Sequence, residues 1–398
     1  MNKKISLGAV VAVMFITASI SVSITYIWSQ QRFTGMMKDL NIRQSMYDKL
    51  NEIDKKVRQN YVGTIDEKVL VDGVAAGYLA GTGDKYASYD DAEAYKKNED
   101  ETNGNSTGIG LVVSMAKDDS GIHVHRVMKN SPSDTAGLKP GDIITRVGEK
   151  KISDIGFDEG MKAMTGKVGE KRLLSVLRDG STKSYEITIA KYEVTSVFYE
   201  KIDNTTAYIQ LTDFNRNTET QFEAAIKDLK SSGTTSIVFD VRNNPGGLVE
   251  SVCNILDSLV GAGTLMSTKD KLGKETVYKI SDAKQLDMEM VVIVNDHTAS
   301  AAELFACDLR DFRKVKLVGT KTYGKCTMLD RFSLSDHSEI TFSVAEILPH
   351  KSPSYEGKGL LPDIEIELSD EQKANFSFLT VKDDAQILKA IEILHNAG

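Results

Sequence analysis

Three cysteines, six prolines and one tryptophan are spread over 398 residues. Cys253, Cys307 and Cys326 cannot all pair with one another, and no CxxC or Cys/His cluster has zinc spacing. That argues against a disulfide scaffold and against a structural zinc site. So few prolines exclude a Pro-rich linker protein. Basic charge is also short. Lys and Arg number 49 against 57 Asp and Glu, giving a net charge of −8. Broad electrostatic binding to nucleic acid is disfavoured, while a local basic patch remains open. What is present is ordinary globular composition, 41% hydrophobic and 27% charged. At roughly 100–200 residues per domain, the length suggests two or three domains.

Lys3 and Lys4 are followed by a run without charge from Ile5 to Trp28. As a helix this run reaches about 36 Å, enough for a hydrocarbon core of about 30 Å. The expectation is an uncleaved anchor with the bulk of the chain outside the cytoplasm. A cleaved signal peptide, with small residues at Thr17-Ala18-Ser19, is the competing reading. Met36, Met37, Leu40, Met46, Leu50, Ile53 and Val57 recur at helical steps over Arg32–Asn60. Thr64 and Glu67 form a candidate capping box for a second helix, from Ile65 to about Ala80. The pair reads as a packed helical hairpin. Asp91 to Thr107 is polar and charged, and Asn103-Gly104-Asn105-Ser106-Thr107 reads as a loop.

The texture then changes to short strands. Gly110–Val113 and Ile122–Val127 are two of them, and Ser131-Pro132 through Gly137-Leu138 reads as a short glycine-ended helix. Pro140-Gly141-Asp142 turns into the strand Ile143–Val147. A helix over Phe157–Met164 and two further strands end near Ile189. His123 and His125 share one strand face, but no third metal ligand is apparent, so they read as surface histidines. Gly108-Ile109-Gly110-Leu111 together with Ala136-Gly137-Leu138-Lys139-Pro140-Gly141-Asp142-Ile143-Ile144 resembles a PDZ domain. That resemblance implies that amides around Ile109, Gly110 and Leu111 receive a peptide's terminal carboxylate.

Beyond Lys191, strands alternate with helices: Thr206–Leu211, Thr218–Ser231, Ser236–Asp240, Leu248–Val260, Met290–Val294, Ser300–Phe312 and Val315–Val318. This is the pattern of an α/β layer domain. Ser300 stands where a buried strand turns into a helix, beside Ala299, Ala301 and Ala302. Such a hydroxyl lies next to helix amides able to stabilise an oxyanion. A plain helix cap is the alternative. His297 sits on the loop, three residues upstream. Lys325 is geometrically plausible as a base, since a strand returning antiparallel to the helix brings its loop near Ser300, and a solvated loop charge is the alternative. A lysine base must be desolvated to lose its proton near neutral pH.

Asn243-Asn244-Pro245-Gly246-Gly247-Leu248, Thr298-Ala299-Ser300-Ala301-Ala302-Glu303 and Thr322-Tyr323-Gly324-Lys325 together resemble the carboxy-terminal processing proteases. These are serine peptidases of family S41 with a Ser/Lys catalytic pair. The resemblance spans about Leu50 to Leu394 and includes the closing Gln386–Glu392. It implies a crotonase/Clp-protease-like ββα catalytic domain with an inserted PDZ domain and helical terminal regions. The expected boundaries are 1–29 for the anchor, 30–102 helical, 103–191 PDZ, 192–370 protease and 371–398 helical. Ser300 would be the nucleophile and Lys325 the base. Gly246, Gly247 and Ala301 would form the oxyanion hole. The PDZ domain would act as a substrate-responsive gate, and terminal helices would build a homodimer. Substrates would be protein C-termini. An activating partner is allowed for, and no metal or organic cofactor is implied.

Two departures stand out. Cys326 replaces the family's usual glycine, and Leu329 replaces the glutamine thought to position the lysine. Leucine has no hydrogen-bonding atom. Cys326 reads as a core residue. Leu329 opens a second reading, a weakened or inactive protease kept as a PDZ scaffold. A crotonase-like acyl-CoA enzyme is a third, disfavoured because an exported chain would not meet cytosolic acyl-CoA.

Overall fold

Short runs of branched apolar residues build the centre of the molecule. The computed structural model describes residues 7–282 and 285–396. Six strands lie in the order Val197–Lys201, Thr206–Leu211, Ser236–Asp240, Glu289–Val294, Lys316–Gly319 and Ile364–Glu365. The first pair is antiparallel and the others are parallel. Side chains alternate faces along a strand, and both faces here are covered, so these runs can be apolar throughout. Ile237, Phe239, Val292 and Val294 face one core with the helices Thr218–Ser231, Val249–Leu259 and Ala301–Arg313. Val238, Val291 and Ile293 face another core, closed by Ile387, Ala390 and Leu394 of the helix Ala385–Asn396.

That last helix is tied in by charge as well. Arg242, only 2% exposed at its side chain, donates to Asp240 at 2.6 Å and to Asp384 at 2.7 Å. It also donates to Gln386 Oε1 at 2.7 Å, while Tyr208 donates to Asp240 Oδ2 at 2.6 Å. A buried ion is tolerated only when its partners are this complete.

A second sheet runs Ser88–Asp90, Glu339–Pro349, Gly263–Asp270 and Glu275–Ser281, with Thr327–Ser333 also paired to Glu339–Pro349. The inserted unit has its own core, including Ile122, Val124, Ile144, Leu174 and Val176. Its sheet runs Leu111–Met115, Ile122–Val127, Ile143–Val147, Lys171–Arg178 and Ser181–Thr188, which leaves Leu111–Met115 at an open edge. A break at Gly156, where φ is +78°, divides Ile152–Met164 and leaves the expected helix from about Phe157 to Met164 beyond it.

Several expectations need correcting. The loop expected over Asn103–Thr107 runs into the strand Asn105–Gly108, and the polar stretch before it, given no element from sequence, is the helix Ala92–Thr102, capped by Asp91, which accepts from Ala94 N at 3.0 Å. It buries no side chain, so no hydrophobic periodicity announces it. The second helix starts at Glu67, and the side chain held by its first turn is Asp66, which accepts from Val69 N, not Thr64. His123 and His125 are not free surface groups. Their rings lie 4.9 and 4.5 Å from that of Phe378. Burial lowers both imidazole pKa values, that of His125 to about 4.

The amino-terminal unit, residues 1–71, contains one continuous helix, Leu7–Asn60. Among the described residues no helix is long and apolar enough to cross a membrane. The span expected over Ile5–Trp28 lies partly outside the described residues. Leu40, Met46, Leu50, Ile53 and Val57 are exposed, so the stripe expected inside a packed hairpin is uncovered in this chain.

Arg242→Ala should destabilise the domain by about 3–5 kcal/mol, because Asp240 and Asp384 would remain buried without their cation. Urea unfolding measures this, and a loss below about 1 kcal/mol would contradict the role given to Arg242.

Candidate active site

The parallel strands end on one side in a set of turns, the usual place for a ligand site in such sheets. Strand Glu289–Val294 leads through residues 295–299 to Ser300, which precedes the helix Ala301–Arg313. The turn is fixed at several points. Thr298 Oγ1 donates to Val241 O at 2.8 Å, Ala299 N donates to Asn244 O at 3.0 Å, and Asn243 N donates to Asn295 Oδ1 at 2.9 Å. Ser300 has φ 56° and ψ −119°, a region a side chain rarely adopts. Such strain costs of order 1–3 kcal/mol and persists only when neighbours enforce it.

Glu303 is the main enforcer. Its carboxylate is fully buried one turn along the helix. Oε2 accepts from Ser300 N at 3.0 Å and from Lys325 N at 2.8 Å. Oε1 accepts from Gly324 N at 2.8 Å and from Thr322 Oγ1 at 2.5 Å. Burial pushes the Glu303 carboxyl above its ordinary value, and the four donors pull against that. One carboxylate therefore gathers the Ser300 turn and the Lys325 loop. Tyr323 N adds a bond to Thr298 O at 3.0 Å.

Lys325 is half-buried, and desolvation lowers its pKa from the ordinary lysine value. Glu356, Asp84 and Glu303 oppose that shift. Its Nζ stands 4.7 Å from the centre of the Tyr86 ring. Leu329 lies on the strand Thr327–Ser333, opposite Ser343. Cys326 is fully buried in the main core, and its Sγ donates to Ile347 O at 3.2 Å.

The Gly246-Gly247 turn closes over the serine. Their φ values are +109° and +128°, and a Cβ on Gly246 would lie 2.8 Å from Ser300 Cβ and 3.0 Å from Ala301 N. Only glycine permits this approach. The Gly246 amide is not free, since it donates to Asn244 Oδ1 at 2.8 Å. Among the described residues no acceptor takes the N–H of Gly247 or Ala301. Of the three expected oxyanion donors, Gly246 thus supplies clearance while the other two supply N–H groups. His297 stands exposed on the turn.

In the inserted unit, Gly110 has φ +79° and a Cβ there would lie 2.2 Å from Ser131 Cβ. The carbonyls of Ile109 and Gly110 accept from Ser133 N and Met128 N, at 2.9 and 3.0 Å. Among the described residues no acceptor takes the amides of Ile109 and Gly110. Leu111 follows as the first residue of the open edge strand.

Cys307, Asp308 and Asp311 bring ligand-type atoms within 4.8 Å of one another. The Asp311 carboxylate already accepts from Lys351 N, Ser352 N and Ser352 Oγ, which makes it a loop anchor. Sequence reasoning did not find Tyr86 or Glu356 at the site. Both are remote in the chain from Ser300 and Lys325 and match no chemical motif.

The sequence matches the profile of Peptidase family S41 over residues 205–366 and that of the PDZ domain over 107–189. It is 30% identical over 365 residues to the "Carboxy-terminal processing protease CtpA" of Bacillus subtilis (strain 168), covering 91% of this chain and 78% of that protein. It is also 30% identical to the "Probable CtpA-like serine protease" of Staphylococcus aureus (strain COL), covering 97% of this chain and 78% of that one. A solved structure described as a putative S41 protease from Bacteroides fragilis shares the fold. Its TM-score is 0.62 at 16% identity, covering 87% of this chain and 97% of that one.

Gly246→Ala should keep the parent's circular dichroism but lower its unfolding midpoint, and kcat/KM for protein cleavage should fall about a hundredfold, because the added methyl collides with Ser300 at a φ that strains alanine. Unchanged kcat/KM would mean that the glycine turn does not bear on the reacting group.

Proposed function

Because the chain belongs to the carboxy-terminal processing serine peptidases of family S41, we propose that Ser300 is its nucleophile and Lys325 its general base. Its substrates are protein chains whose C-terminal tails the PDZ domain captures. The observation that carries this reading is the single Glu303 oxygen bonded to the amides of both Ser300 and Lys325.

Ser300 Oγ attacks the scissile carbonyl carbon as its proton passes to the neutral Lys325 amine. The carbonyl oxygen becomes an oxyanion facing the N–H groups of Gly247 and Ala301. As the C–N bond breaks, the departing amine takes the proton from Lys325, leaving an acyl group on Ser300. Water then attacks that ester as Lys325 takes its proton, and when the C–O bond to Ser300 breaks Lys325 returns the proton to Ser300 Oγ, so the shortened chain leaves as a carboxylic acid that ionises in water. Desolvation keeps Lys325 closer to neutral than a free lysine, so each step begins from a competent base.

The open edge of Leu111–Met115 suits addition of a peptide strand, with the amides of Ile109, Gly110 and Leu111 at its end for a carboxylate. Helices on both faces of the parallel sheet support the crotonase/Clp-protease-like assignment. Lys3-Lys4 and the uncharged run Ile5–Trp28 support export with membrane retention, a reading that rests on sequence alone. The uncovered stripe from Leu40 to Val57 supports a homodimer. The second reading, a weakened catalyst, rests on Leu329.

Ser300→Ala in the purified full-length chain should abolish cleavage of an unfolded protein, with loss of at least about a thousandfold, while peptide binding is retained. In the parent, kcat/KM should rise with pH as Lys325 loses its proton, with the limb below the ordinary lysine value of 10.5. Retained cleavage by the Ser300 variant would overturn the nucleophile. Leu329→Gln should raise kcat if a missing amide limits the parent. A flat response would show that the amine is already positioned by other groups.

A further inference from the structure

We propose that Tyr86 is the positioning residue for the Lys325 amine, its ring face holding the group that leucine at 329 cannot hold. The inference rests on Lys325 acting as the base. Among the described residues no hydrogen-bond acceptor takes Lys325 Nζ. What meets it is the Tyr86 ring, 4.7 Å from the amine to the ring centre. An aromatic face within about 6 Å attracts an ammonium through its quadrupole, and the same apolar face excludes water from the neutral amine. It can therefore serve both protonation states that a general base passes through.

The ring is itself fixed. Tyr86 Oη donates to Glu356 Oε1 at 2.9 Å and reaches Gly324 O at 3.5 Å. Glu356 Oε2 accepts from Cys326 N at 2.6 Å and Thr327 Oγ1 at 2.9 Å. One carboxylate thus ties the tyrosine to the residues that follow Lys325. Burial pushes the Tyr86 phenol up to about 12, so it stays a donor at neutral pH. The backbone is held as well. Asp84 accepts from Tyr86 N at 3.0 Å through Oδ1, and from Ser343 N at 2.7 Å through Oδ2. Ser343 is the partner of Leu329 across the sheet, so the segment that carries Tyr86 is pinned beside the strand that lacks the amide. The strand Ser88–Asp90 continues this attachment by pairing with Glu339–Thr341.

The charged groups around the amine are Asp84, Glu303 and Glu356, which favour its protonated form, and Lys85, which opposes it. Lys85 also stands over the Tyr86 ring at 4.6 Å and pairs with Glu356 at 3.2 Å, so its charge is largely answered by that carboxylate. Tyr86→Ala opens the amine to water without removing any of these charges.

The test is the pH dependence of kcat/KM for the full-length parent, Tyr86→Ala, Tyr86→Phe and Lys325→Ala. It is joined to NMR titration of 13C-dimethylated lysines, with the Lys325 signal assigned by its loss in Lys325→Ala. Because desolvation is the largest influence on Lys325 and outweighs the ring's attraction for the ammonium, Tyr86→Ala should move the acid limb and the Lys325 titration to higher pH by about one unit, with about a tenfold loss at pH 7 that recovers as pH rises. Tyr86→Phe, which keeps the ring but loses its bond to Glu356, should shift the titration by no more than about half as much as Tyr86→Ala. A Tyr86→Ala protein whose Lys325 titrates as in the parent would overturn the proposal, whatever its rate. A uniform loss at every pH would do the same, since that is what a structural role alone produces. Should Lys325→Ala cleave as fast as the parent, the general-base reading itself would fall. An inactive Lys325→Ala beside an unshifted Tyr86→Ala would sink only the tyrosine.

Discussion

The buried carboxylate of Glu303 is the constraint on which the site depends. It sits on the first turn of the helix after Ser300 and accepts four hydrogen bonds, one from Ser300 and three from the Lys325 loop, given by Thr322, Gly324 and Lys325. A carboxylate in the interior requires this degree of satisfaction, because each lost donor would leave charge uncompensated. The same requirement forces two segments remote in sequence to keep a fixed distance. The unfavourable backbone of Ser300 follows from it, as does the position at which Lys325 enters the site.

Around this centre the other parts fall into place by simple packing rules. Parallel strands with both faces buried deliver the turns to one end of the sheet. Gly246 allows the neighbouring turn to come within contact of Ser300, where any larger residue would collide with it. Asn244 takes the Gly246 amide, while among the described residues no acceptor takes those of Gly247 and Ala301. Arg242, two residues before Asn244, ties the same turn to the carboxy-terminal helix through Asp384. The chain thus uses buried ion pairs where it must hold loops and apolar packing where it must hold elements.

Much of this was legible in the sequence, for reasons that differ by residue. The strands around Val238, Val292 and Val318 are continuous apolar runs, and the turns carrying Gly246-Gly247 and Ser300 have distinctive composition. Lys325 was legible only through its motif and a rough estimate of chain reach. The helix Ala92–Thr102 was not, since it buries nothing and its only signal was Asp91 as a cap. Tyr86 and Glu356 were not legible either. They reach Lys325 through the sheet formed on Glu339–Pro349, and single-sequence patterns do not encode which strand pairs with which. The packing of His123 and His125 against Phe378 was hidden for the same reason. The membrane span was read from the absence of charge over Ile5–Trp28, a run that lies partly outside the described residues.

The most direct measurement of the central claim is covalent labelling of the full-length chain with a fluorophosphonate, the adduct being located by mass spectrometry and its rate compared between the parent and Lys325→Ala. The account predicts an adduct on Ser300 that forms at least about a hundredfold more slowly when Lys325 is removed, since the serine then lacks its base. An adduct on another residue, or one forming on Ser300 at the same rate in both proteins, would contradict it.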